Sequence, residues 1–107
     1  MLVFAKTLAS ALGGEDAEGL VWRLLNGEVV LDLRLLCCGT GNNLVEIMDA
    51  EEAMKPQYAK RRVKVVGMAY GERRAHTLLA DMLCAHMQKG GTVYSFKQKI
   101  LQTEERA

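Results

Sequence analysis

The chain is poor in the features that usually disclose a chemistry. It has three cysteines in 107 residues, and an odd number leaves at least one thiol unpaired, so a closed disulfide framework is excluded. Two of the three, Cys37 and Cys38, are adjacent and lack the Cys-x-x-Cys spacing in which one thiol resolves the other. No uninterrupted apolar run approaches the roughly 18–20 residues of a membrane-spanning helix, so no membrane association is expected. The first fourteen residues carry no basic leader, and Lys6 interrupts their apolar stretch, which argues against a secretion signal. A reduced, cytoplasmic protein is the expectation. Charge of one sign is also missing: 14 basic residues face 13 acidic ones, for a formal +1, without the basic field of a dedicated nucleic-acid binder. Nucleic acid is therefore not an expected partner.

What is present is ordinary globular material: 50% hydrophobic and 25% charged residues, enough for one domain over 1–107. Phe4, Ala5, Leu8, Ala9 and Leu12 recur at helical spacing, and Gly13-Gly14 supplies a stop, so a short first helix is predicted. A second helix follows from Asp16 and Glu18 through Leu25, ended by Asn26-Gly27. Glu28 to Cys37 alternates, with Val29, Leu31, Leu33 and Leu35 on one side and Asp32 and Arg34 on the other, as in a strand covered on one face. Turn formers Gly39 to Asn43 and a β-rich run from Leu44 to Met48 complete an antiparallel hairpin. Asp49 with Glu52 resembles a helix cap, but Pro56 keeps anything begun there short.

Val63 to Met68 reads as a strand, Glu72 to Lys89 as a long helix ended by Gly90-Gly91, and Thr92 to Lys97 as a further strand. A polar tail runs from about residue 98. The predicted fold is α/β (α+β): a small mixed sheet of about four strands, N-terminal helices and one long crossover helix.

Chemistry-bearing residues are few. The strand-to-helix turn between Gly67 and Gly71 offers backbone N–H groups and the positive end of a helix to an anion, with Arg73 and Arg74 beside it. It lacks the three-glycine dinucleotide fingerprint and the Gly-Lys-Ser/Thr of a phosphate loop, and Glu72 opposes an incoming negative charge. Lys60, Arg61 and Arg62, near Tyr58, form a basic cluster that can contact nucleic-acid phosphates with an aromatic ring for base stacking, although Glu46, Asp49, Glu51 and Glu52 just upstream can neutralise it. Cys84 and His86 stand about 200° apart around their helix, and His76 is turned about 80° from His86. No metal site is assigned, and His86 reads as a packed histidine that needs one hydrogen-bond partner. No carboxylate pair and no Ser-His-Asp pattern assigns a catalytic role, and no cofactor is implied. Trp22 and the methionines provide adaptable apolar surface.

Two functional expectations follow. The first is an intracellular interaction or regulatory module that self-associates, because apolar residues are plentiful and convergent catalytic groups are not. The second is a protein, enzyme or binder, that recognises a phosphate or carboxylate at the glycine turn.

Overall fold

The computed structural model describes residues 2–38, 45–58 and 61–106. In chain order these form β1 (Leu2–Ala11), α1 (Ala17–Leu25), β2 (Leu33–Cys38), β3 (Glu46–Asp49), α2 (Ala50–Ala53), β4 (Val63–Tyr70), α3 (Glu72–Gln88) and α4 (Val93–Gln102). The strands make one mixed sheet in the order β1-β4-β2-β3, with β1 and β4 parallel and the other pairs antiparallel. This is an α+β fold with a four-stranded sheet among the described residues, as the sequence predicts.

The sheet is covered on both faces. On one, Phe4, Leu33, Leu35, Cys37 and Met68 pack against Leu20, Val21 and Leu24 of α1 and Ala50 and Ala53 of α2. On the other, Leu36, Cys38, Val66 and Ala69 meet Ala75 of α3 and Phe96 and Ile100 of α4. Sandwiching between helices explains why the central strands β2 and β4 are apolar nearly throughout and do not alternate. The Asp16 carboxylate caps α1 by accepting from the backbone N–H groups of Glu18 and Gly19, at 3.2 and 3.3 Å. Its far end closes at Asn26, and Gly27 follows at φ 80°.

Three segments differ from the sequence reading. Residues 2–11 are a strand, not a helix. Leu2 to Phe4 pair with Val63 to Val65, and Ala9 to Ala11 pair with Gly67 to Ala69, so Ala5 to Leu8 make an excursion opposite Val66 alone. That bulge destroys the two-residue alternation and leaves apolar residues at a spacing that imitates a helix. β2 starts at Leu33, not Glu28, because Asp32 takes a left-handed backbone, φ 62°, that interrupts the extended run. The turn residues 39–43 and Leu44 lie outside the described residues, but β2 and β3 do pair as the predicted hairpin.

The predicted strand at Thr92 to Lys97 is the start of α4. Thr92 Oγ1 accepts from the Ser95 N–H at 3.1 Å and Ser95 Oγ accepts from the Thr92 N–H at 2.8 Å, a reciprocal cap that outweighs the β preference of Val93, Tyr94 and Phe96. α3 therefore crosses to no strand, and the parallel partner of β4 is β1. The polar stretch from about 98 supplies the rest of α4 and then a strap along the outer edge of β1. The Lys6 N–H donates to the Glu104 carbonyl at 2.6 Å, and the Arg106 N–H donates to the Phe4 carbonyl at 2.8 Å. Arg62 pairs with Glu105, and Arg106 with Glu18, which fastens the strap to the body.

Candidate functional site

Parallel neighbours β1 and β4 send their chains to opposite faces: β1 leads through Gly13-Gly14 to α1, and β4 through Gly71 to α3. Diverging connections open a crevice at the carboxyl ends of the strands, the place where open α/β sheets receive ligands. Here the crevice measures about 620 Å3. Ser10 and Ala11 close it from β1 and Tyr70 from β4, while α3 contributes Arg73, Arg74, Thr77 and Asp81 and the turn before β2 contributes Asp32.

Its charges are mixed. Among the described residues, neither Arg73 nor Arg74 has a hydrogen-bond or ion-pair partner, and no side chain caps the first turn of α3. Against this, the Gly71 N–H is already spent on the Asp32 carbonyl at 2.8 Å, and the Asp32 carboxylate stands beside Gly71. Asp81 adds a second negative charge to the wall. A bare anion meets repulsion here, whereas a ligand that combines an anionic group with hydroxyl or ammonium donors can satisfy arginines and aspartates together. Tyr70 forms one lip and donates its hydroxyl to the Glu15 carboxylate. Burial, then that hydrogen bond and charge, hold its phenol above the ordinary range.

Of the residues singled out for an anion, Gly71, Arg73 and Arg74 come together at this crevice. Gly67 does not: it is buried in the middle of β4, paired with Ala9, and a Cβ there would stand 3.2 Å from Leu36 Cδ2 and 3.3 Å from the Ala9 carbonyl oxygen. Its glycine identity answers to strand packing. Asp32, Tyr70, Thr77 and Asp81 were not apparent as site residues: Asp32 comes from a segment distant in sequence, and Tyr70, Thr77 and Asp81 adjoin Gly71, Arg73 and Arg74 without a motif that marks them.

The basic cluster is dispersed. Lys60 lies outside the described residues, Arg61 is partnered, and Arg62 is tied to Glu105 of the strap. Lys64 donates to the carbonyls of Leu101 and Thr103. Among the described residues no group of three metal-ligating side chains converges. His76 is exposed, 3.7 Å from Glu72, and His86 has the single partner its position requires, Ser95 Oγ at 2.7 Å, with Phe96 packed against its ring. Cys37 and Cys38 are buried in β2. Burial, then the neighbouring Cys38 and Glu46, push the Cys37 thiol far up; burial also raises Cys38, opposed by Lys64. Both therefore stay protonated and make poor nucleophiles at neutral pH.

A second feature lies on the α1 side. Trp22 and Leu25 on the outer face of α1, and Val29 and Leu31 just after it, are large apolar side chains left in solvent, Trp22 at 66% and Leu31 at 80% exposure. Val30 between them is buried, so Val29 and Leu31 point outward together. No helix among the described residues is long and apolar enough to cross a membrane. Comparison with protein-family models, with curated proteins and with solved structures found no match.

Proposed function

We propose that this chain is a non-enzymatic interaction module of the cytoplasm that works as a homodimer through the surface of Trp22, Leu25, Val29 and Leu31. The observation that carries this reading is the exposure of these four side chains within ten residues of chain. A solvent-exposed tryptophan accompanied by three exposed aliphatic side chains within ten residues of chain is the composition of an interface centre rather than of idle surface. A second copy is the favoured occupant because the surface is electrically self-compatible: Arg23 and Glu28 at its margin neutralise each other at 3.0 Å, so two copies can meet about a twofold axis without like-charge repulsion. The free, unbridged thiols agree with a reducing compartment.

Sedimentation velocity over micromolar concentrations tests it. The wild type should sediment as a dimer, and Trp22→Ser with Leu31→Ser should weaken the dimer by about 2 kcal/mol or more, roughly thirtyfold in dissociation constant. A wild-type monomer throughout that range, or a dimer indifferent to both substitutions, overturns the proposal.

A second reading is favoured by the unpartnered Arg73 and Arg74: the crevice holds a small anionic ligand that also bears hydroxyl or ammonium groups for Asp32 and Asp81. It is compatible with the first, since the crevice and the α1 surface share no residue.

A further inference from the structure

A groove separate from the crevice runs beside the lower half of α3. Its floor is the sheet, at Leu8, Ala9 and Val66. One wall is α3, through Met82, Ala85 and His86; the other is α4, through Phe96 and Ile100. The half-open space between them is about 330 Å3, at the small end of the roughly 300–1,000 Å3 of ligand pockets. Among the described residues, the charged side chains lining it are Lys89 and Lys99. Both are exposed, and among the described residues neither has a carboxylate partner. His86 adds no carboxylate-like acceptor, because its Nε2 is engaged with Ser95.

From this arrangement we infer that the groove binds a small amphiphilic carboxylate, its hydrocarbon body against Val66 of the floor and Met82 and Phe96 of the walls and its head group between Lys89 and Lys99. An apolar cavity of about 150 Å3 accepts benzene, so a space about twice as large suits a medium-length acyl chain or a compact ring system. Apolar lining supplies most of the binding free energy, and unpaired ammonium groups supply the selectivity for an anionic end. Walls on three sides suit a small molecule better than a helix from another protein, which needs an open trough along several turns.

Decanoate is the probe, titrated into the full chain by calorimetry, with decan-1-ol as the uncharged control and amide NMR to place the contact. Saturable one-to-one binding below the micellar range is expected, with shifts at Val66, Met82 and Phe96 and with decan-1-ol bound roughly tenfold more weakly, the scale of one lost charge-assisted contact. Lys89→Gln with Lys99→Gln, both on exposed positions, should abolish that preference. Ala85→Phe, which fills the groove from its rim without entering the core, should abolish binding of both compounds. Absence of binding, equal affinity for the two compounds in the wild type, or shifts centred on Trp22 overturns the assignment. So does a pattern of groove shifts that appears on concentrating the protein alone, which gives the groove to a second copy. Failure to bind decanoate, or equal affinity for the two compounds, leaves the dimer proposed above untouched, because its residues lie on the opposite face of the sheet; sedimentation of Trp22→Ser tests that dimer separately.

Discussion

The two halves of α3 overlook the same strand and offer different surroundings. Arg74, Thr77, Leu78 and Asp81 line the crevice, and Met82, Ala85, His86 and Lys89 line the groove; spaced three and four apart, they form one continuous stripe along the side of the helix that faces β1. Near the helix start the stripe carries Arg74, Thr77 and Asp81, and shares the crevice with Asp32. Further along it is apolar, with cations and no acids. The cause lies in the sheet. At the level of Ser10 and Ala11 the strand ends leave an opening that no helix among the described residues fills, whereas lower down α4 packs alongside and brings Phe96 and Ile100 in as a wall. A single helix face thus acquires two chemistries from what stands opposite it.

Cutting back the α4 wall of the groove should have the largest effect. Phe96→Ala, in the second core layer, is expected to cost about 3–5 kcal/mol in urea unfolding while leaving the amide shifts of Ser10 and Thr77 in place. Simultaneous disturbance of those crevice residues would show that the two hollows are one cooperative unit. Gly67→Val acts where they meet, since Ala9, its partner across the sheet, lines the groove and Ser10, one residue on, lines the crevice. The added methyls press on the buried Leu36 and on the Ala9 carbonyl, with an expected loss of about 1–3 kcal/mol. An unchanged melt would mean that β1 yields at its bulge more easily than a packed strand should.

The smallest effect concerns the crevice lip. The Tyr70 phenol donates to Glu15 only while protonated, and its ionisation is shifted upward on folding. The bond's contribution is therefore complete below the ordinary phenol value of about 10 and is lost as pH rises through the higher folded-state value. Wild type and Tyr70→Phe should differ slightly in melting temperature near neutrality and converge at strongly alkaline pH, and ultraviolet titration should find that the phenol missing from the variant is one that ionises above the ordinary value. A missing phenol of ordinary or lowered pKa would break the account of that lip.

Much of the sheet was legible because its signals are local. Asp16 and Asn26-Gly27 bound α1, the β-rich runs on either side of residues 39–43 made a hairpin, and Gly71 marks the passage from β4 to α3. β1 was not legible, since its bulge depends on a partner some sixty residues away and its apolar spacing fits a helix as well. α4 carried a signal in Thr92 with Ser95, followed by Phe96 and Ile100 four apart, but the β-formers interleaved with them pointed the other way. The crevice was readable where it is contiguous, at Gly71, Arg73 and Arg74. Asp32 comes from a segment that only the fold brings near, Asp81 lies two turns along α3 from Arg74 on a stripe that helical spacing alone does not mark as a site, and the groove has no local signature because it exists only once α4 is a helix.

The strap on β1 also has a bearing on how the chain is made. On a ribosome adding roughly 5–20 residues per second, β1 emerges well before β4 and must wait for residues 63–69 before it has a neighbour. Its outer edge waits longer still, for Glu104 and Arg106, while the hydrogen-bonding groups of Phe4 and Lys6 stay open to any passing strand. The Ala5–Leu8 excursion, irregular and bearing Lys6, makes that edge a poor template during the interval, so the feature that disguised the strand in the sequence also guards it before its cover arrives.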